Sequence, residues 1–303
     1  MSIRLALFSG VSRVFFKAAL KHIRNETVLR RYLDLVTKCN ARNPKGVQYH
    51  ADRLTHMGRT VHVEWAKPAN DTTRVLLYIH GGGFIFGSAR THRHLAADIA
   101  QKIGAQAVLP NYGLAPENPF PTAIEDVTTC YLALLNQGVS PNDIVLGGDS
   151  AGGNLALLLL SRLAEIGTQM PACAFTFGAV TDLSKSSRTM MENQKSDCVL
   201  ALSRFDDMKA MYAPDVAADS AKISPLFADF AGAPPILMQA SRGEILLGDS
   251  QLMSDALRAQ GCDVELQIFE NNFHVFQILR GIVPEADQAV ADVASFCCKH
   301  LGG

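Results

Sequence analysis

The sequence has little charge of either sign to spare. Its 28 Lys and Arg are matched by 29 Asp and Glu, for a formal net charge of −1, which excludes the basic footprint expected of a nucleic-acid binder. No C-x-x-C spacing occurs, and seven cysteines cannot all pair. Reduced, mostly buried thiols in a cytoplasm are the simplest account. Clustered metal ligands are missing too: His92 and His94 stand two apart with no matching set. Long apolar runs are absent. Met1–Phe8 is broken by Ser9 and Gly10, then by Arg13 and Lys17, and no A-x-A site follows, so neither a signal peptide nor a membrane span is expected. There are no internal repeats, low-complexity tracts or long linkers.

What is present suits a soluble enzyme-sized domain. Hydrophobic residues make up 48% of the 303 and charged ones 19%, enough for a substantial core. Strand-like and helix-like segments alternate from Val75 to the C-terminus, the βαβ pattern of a mostly parallel sheet. Strands are expected at Val75–His80, Ala105–Leu109, Asp143–Leu146, Cys173–Phe177, Pro234–Ala240 and Asp263–Glu270. Helices are expected near His92–Ile103, Ala123–Leu135, Asn154–Leu160 and Ala286–Lys299. Arg59–Lys67 and Arg74–His80 read as an antiparallel start. Val11, Phe15, Ala18 and Ile23 recur near helical spacing, a helix suited to a membrane surface or to covering part of the fold.

Two motifs carry chemistry. Gly148-Asp149-Ser150-Ala151-Gly152 fits G-x-S-x-G, with a buried strand before it and an apolar helix after. That context makes Ser150 a nucleophile on a strand-to-helix elbow. Upstream, His80-Gly81-Gly82-Gly83 follows a strand, the arrangement that supplies an oxyanion hole. Attack on an ester carbonyl places negative charge on one oxygen, and preorganised N–H donors must already point at it. Gly81, Gly82 and Ala151 are the expected donors. A base must follow the serine in the chain order of this arrangement. Only His274 and His300 do so, and His274 falls in a loop after an alternating strand. Glu244 and Asp249 both lie in the loop after the Pro234–Ala240 strand, leaving two candidates for the acid.

Together with Asn111–Glu117, Ser224-Pro225-Leu226 and Phe273-His274-Val275-Phe276, these motifs resemble the bacterial hormone-sensitive-lipase family of carboxylesterases. The resemblance runs from about Val75 to the C-terminus. It implies an α/β-hydrolase fold as one domain over 1–303, with a helical cap built from about 1–45 and about 183–219. It favours cap over membrane anchor for the N-terminal helix. It also places Glu244, before Ile245-Leu246, in the register of the acid, and makes Asp249 the residue that opens the next helix. Three positions depart from the family pattern. Gly113 stands where arginine is usual, so a structural ion pair is expected to be missing. Asn271 replaces a common glycine, which asparagine's tolerance of positive φ allows. Ser241-Arg242-Gly243 precedes the acid in a variant form.

The chain therefore reads as a serine carboxylesterase acting through an acyl-enzyme on short- to medium-chain esters, with Ser150, Glu244 and His274 as the triad and no metal or other cofactor. The glycine-rich loop resembles that of hydrolases accepting bulky alcohol portions. Phe84, Phe205, Met208 and Tyr212 are expected to line the acyl or alcohol site. The expected partner is a small ester, with no nucleic acid and no stable membrane anchor. A homodimer through the strand near Asp263–Glu270 is implied by resemblance alone. The alternatives are an amidase or carbamate hydrolase on the same triad, and a non-catalytic ligand-binding protein of this fold.

Overall fold

A computed structural model describes residues 3–40, 43–270 and 272–301. Its centre is an eight-stranded sheet of β1 (Val47–His56), β2 (Arg59–Pro68), β3 (Val75–Ile79), β4 (Gln106–Pro110), β5 (Ile144–Asp149), β6 (Cys173–Phe177), β7 (Ile236–Ser241) and β8 (Val264–Phe269). The strand order is β1-β2-β4-β3-β5-β6-β7-β8. From β4 to β8 the pairings are parallel, while β1–β2 and β2–β4 are antiparallel. The described helices are α1 (Ile3–Val11), α2 (Ala18–His22), α3 (Glu26–Asn40), α4 (Ala89–Lys102), α5 (Thr122–Asn136), α6 (Ala151–Glu165), α7 (Thr189–Glu192), α8 (Phe205–Tyr212), α9 (Leu247–Ala259) and α10 (Pro284–His300).

The continuous apolar run of β3 explains its place. All five of its residues are buried, because both faces are covered by helices. Val75, Leu77 and Ile79 face a core shared with α5 and α6, while Leu76 and Tyr78 face one shared with α4 and α10.

The expected antiparallel pairing of Arg59–Lys67 with Arg74–His80 does not form. β3 lies between β4 and β5, and β2 pairs instead with β1 and β4. The partly exposed β2 suits the rim, where one face meets water. β1 was not expected from the sequence, because of its ten residues only Leu54 is buried and no apolar alternation marks it. The hairpin turns through Met57 and Gly58, both at positive φ (47° and 83°), as a tight two-residue turn requires.

Over the carboxyl ends of the strands lie two helical segments. In the first, α1 and α2 are joined by a π-helical turn, Ser12–Lys17. Its inward residues are Leu5, packed with Phe273 and Phe276, and Ala19 and Leu20, packed with Leu29 and Leu33. The apolar stripe Val11, Phe15, Ala18 and Ile23 does not lie as a whole on the buried side. Val11 and Phe15 are half-exposed, because apolar residues populate both sides of this segment and the π turn changes the period. In the second segment, α8 and the turn before it place Phe205 against the main core.

Candidate active site

The elbow forms as its sequence requires. β5 ends at Asp149, α6 begins at Ala151, and Ser150 between them is held at φ 51°, ψ −117°. A β-carbon on Gly152 would strike the carbonyls of Ile79 and His80, and one on Gly148 would strike Gly152, so helix and strands approach closely only through glycine. Ser150 N–H donates to the Phe177 carbonyl (2.8 Å), and its own carbonyl accepts from Asn154 (3.1 Å) and Val180 (3.3 Å). The strained residue is fixed from three directions.

His274 follows β8, and its ring borders the same cavity as Ser150. Its Nδ1 lies 2.5 Å from Glu244 Oε2. Glu244 sits in the turn between β7 and α9, fully buried, and its other oxygen accepts the Ser241 N–H (2.6 Å). Burial disfavours a charged His274 ring, but the Glu244 hydrogen bond and charge more than offset this, leaving its pKa raised. A β-carbon on Gly178, at φ 51°, would come within 2.7 Å of Glu244 Oε2 and 2.8 Å of His274 Nδ1. That glycine leaves room for the pair. Buried Asp197 fastens the turn, one oxygen accepting the Ile245 N–H (2.9 Å) and the other the N–H groups of Val199 and Leu200. Neither Gly178 nor Asp197 belongs to a motif that would single it out.

Asp249 is elsewhere engaged. It does not cap its own helix. Its Oδ2 accepts the N–H groups of Thr181 (2.9 Å) and Asp182 (3.1 Å), and burial pushes its pKa up to about 8. It clamps the 181–182 loop and has no hydrogen bond to His274 among the described contacts.

Gly81 is not placed as an oxyanion donor. Its N–H donates to Asp149 Oδ1 (3.1 Å), and it does not border the cavity. Gly82 (φ 121°) and Gly83 (φ 56°) border it instead, alongside Ser150. Among the described residues no hydrogen bond takes up their N–H groups. Ala151 opens α6, where the first-turn N–H groups have no intrahelical acceptor. The chain order of the glycines does not reveal which one the buried carboxylate takes.

These features agree with comparison to known proteins. A model of the α/β-hydrolase fold matches residues 76–278. An esterase of Acinetobacter venetianus is 36% identical over 269 residues, covering 88% of this chain and 87% of that one. A solved esterase of the bacterial hormone-sensitive-lipase family is 32% identical, with a TM-score of 0.92 over 100% of this chain and 99% of that one. This chain belongs to the hormone-sensitive-lipase family of α/β-hydrolase carboxylesterases. An acetyl-hydrolase of Streptomyces hygroscopicus is also similar, at 32% identity over 79% of this chain and 80% of that one.

The esterase encloses a mainly apolar cavity of about 210 Å³ above Ser150. Phe84, Phe205 and Met208 border it. Tyr212 does not: its ring lies behind Phe84, stacked with centroids 3.8 Å apart. Helical spacing put it on the same face, but Phe84 stands between it and the cavity. Val11 and Phe15 from the N-terminal helices also border the cavity.

Asp149 gathers the base of the glycine loop. Besides Gly81 it accepts Tyr78 Oη (2.9 Å), and it faces His92 Nε2 at 3.4 Å. Burial opposes charge on both Asp149 and His92, yet their pairing prevails, holding the carboxyl below and the imidazole above their ordinary values. His80 differs. Burial and the nearby His92 push it down to about 3, so it is neutral, stacked on Tyr112.

At Gly113 no arginine is available, but Asp126 is not left alone. It accepts the Gly113 N–H (2.9 Å) and pairs with Arg59 from β2 (2.9 Å). The second departure, Asn271, lies outside the described residues. Among the described residues no group of three or more His, Cys, Asp or Glu is arranged to hold a metal.

Proposed function

We propose that the esterase hydrolyses short- to medium-chain acyl esters through an acyl-enzyme, with Ser150, His274 and Glu244 as its triad. Ser150 Oγ attacks the ester carbonyl carbon while His274 takes the hydroxyl proton. The carbonyl π electrons move to oxygen, where the N–H groups of Gly82, Gly83 and Ala151 receive the negative charge. Collapse breaks the bond to the alcohol, which leaves with the proton from His274. Water then repeats the sequence on the acyl-enzyme, releasing the acid and restoring Ser150. Glu244 orients the imidazole and stabilises its charged form.

The observation that carries this reading is the 2.5 Å Glu244–His274 bond beside a cavity that also holds the strained Ser150. The cavity, at about 210 Å³, falls below the ~300–1,000 Å³ usual for drug-sized ligands, which favours small acyl groups. An acetyl-hydrolase and an ethyl acetate hydrolase among the relatives point the same way. We read the two helical segments over the strand ends, about 1–45 and about 183–219, as a cap on one domain. A cytoplasmic location suits the six cysteines that are free in the structure. No described helix is long and apolar enough to cross a membrane. β8 is one of the two edge strands, half-exposed along its length, and is the surface for a homodimer, which light scattering tests.

The deciding experiment is hydrolysis of p-nitrophenyl acetate, butyrate, octanoate and palmitate by wild type and by Ser150→Ala. Turnover of the shorter esters, abolished by the substitution, is expected. Turnover of none of them by wild type, with hydrolysis of anilides or carbamates, would replace this reading with an amidase; no turnover of any would leave a ligand-binding protein.

A further inference from the structure

The N-terminal cover has a second face. Leu7, Val11, Val14 and Phe15 are 65%, 51%, 64% and 53% exposed, a run of uncovered apolar side chains from α1 into the π-helical turn. With Val28 and Leu35 on α3, six of the eleven large apolar side chains exposed among the described residues belong to this one cover. Packing of the cover does not require them, because Leu5, Ala19, Leu20, Leu29 and Leu33 already supply its buried side.

The charge around this row is mainly of one sign, with eight Lys and Arg against Glu26 and Asp34 over residues 3–40. The first 25 residues contain Arg4, Arg13, Lys17, Lys21 and Arg24 and no Asp or Glu, in a chain whose formal net charge is −1. Arg4, Arg13 and Lys17 donate to the backbone carbonyls of Ile282, Ser196, Gln194 and Asp197, bonds to neutral oxygens that anchor the cover. Arg24 pairs with Asp207. Lys21 and Arg31 are exposed. Arg4 continues the apolar row three residues before Leu7.

We propose that this face docks the esterase reversibly on an anionic phospholipid surface. An apolar row with basic residues at its margins is the pattern that sinks a helix into the headgroup boundary and holds it by charge. A second copy of the chain fits less well, since pairing two such faces would bring basic residues against basic residues. The orientation has a use. Val11 and Phe15 belong both to the exposed row and to the cavity lining with Ser150, so the docked cover presents the cavity's apolar rim to the lipid, where amphiphilic esters concentrate. The surface goes beyond the catalytic reading, and binding is measured on Ser150→Ala protein, so it stands or falls without turnover.

The experiment is co-sedimentation of the full chain with vesicles of phosphatidylglycerol and phosphatidylcholine, against phosphatidylcholine alone. Binding is expected on the anionic vesicles, weakened by salt, and lowered about tenfold by Leu7→Ser with Val14→Ser. Lys21→Glu should lower it as well. Leu7 and Val14 do not border the cavity, so the double variant in the otherwise wild-type chain should hydrolyse a soluble ester at the wild-type rate, which also shows that it folds. Equal sedimentation with both vesicle types, none with either, or binding unchanged in the double variant would overturn the proposal. So would a dimer in light scattering that the same double variant converts to monomer, because the row would then belong to a second copy.

Discussion

Asp149 Oδ1 accepts the Gly81 N–H at 3.1 Å, so the residue immediately before the nucleophile holds the loop that faces it. The elbow and the oxyanion loop are tied by one buried carboxylate, which His92 and Tyr78 also contact. Asp149→Asn is therefore expected to lower kcat about ten- to a hundredfold, below the ~10²–10³ cost of losing an oxyanion donor outright, because the loop shifts but keeps its N–H groups. KM should change little. A raised KM at unchanged kcat would instead mark Asp149 as a binding residue.

Glu244→Gln keeps the shape of the acid but removes its charge. It should reduce kcat by about 10³–10⁴. The pH profile adds a sharper test. The reaction needs neutral His274, and the raised pKa of this ring places the acid limb of kcat/KM above the ordinary 6.5. In the glutamine variant the limb should move to lower pH. An unmoved limb would mean that another group titrates.

Asp249 should behave in the opposite way. Asp249→Asn is expected to keep wild-type activity within about threefold, because its partners are Thr181 and Asp182 rather than reacting groups. Its carboxyl, raised from 3.8 to about 8, retains a proton in the folded chain that the unfolded chain releases. Stability should therefore fall as pH rises from about 4 to about 8, and level off above. The asparagine variant escapes this loss. Thermal unfolding should show its Tm gaining on wild type between pH 5 and pH 8; parallel curves would show that Asp249 ionises normally.

Gly178→Ala would put a methyl group against both partners of the Glu244–His274 bond, at positive φ. We expect kcat to fall by about a hundredfold, since a displacement of this size spoils a positioned base. Circular dichroism should show a folded chain.

Within the cavity, Phe205→Ala and Met208→Ala should extend activity towards octanoate relative to acetate. Tyr212→Phe should leave that preference unchanged, because Tyr212 is screened by Phe84. Its buried hydroxyl has no hydrogen-bond partner in the structure, so removing it should not lower Tm.

The residues proposed to react were legible because the chemistry proposed for them dictates unusual local sequence. Ser150 needs glycines on both sides of a tight turn, and its flanking segments carry the buried-strand and buried-helix patterns that place it. Cys173–Phe177 is a strand over the same five residues that its apolar run indicates. Long-range choices were not legible. Nothing local distinguishes Gly81 from Gly82 until Asp149, 68 residues later, claims the first N–H. Likewise β1 is stabilised by its pairing with β2 rather than by a pattern of its own, and Tyr212 shares Phe205's helix yet loses the cavity to a residue from another loop.

Met208 carries a mechanical implication. Its terminal methyl occupies the space in which a β-carbon on Gly83 would lie, so the thioether is seated in the glycine loop like a pin in a latch. Any displacement of α8 away from the sheet would withdraw the pin, and its return would restore the loop beneath. The shape of the glycine loop and the seating of α8 are thereby geared to one another through a single thioether.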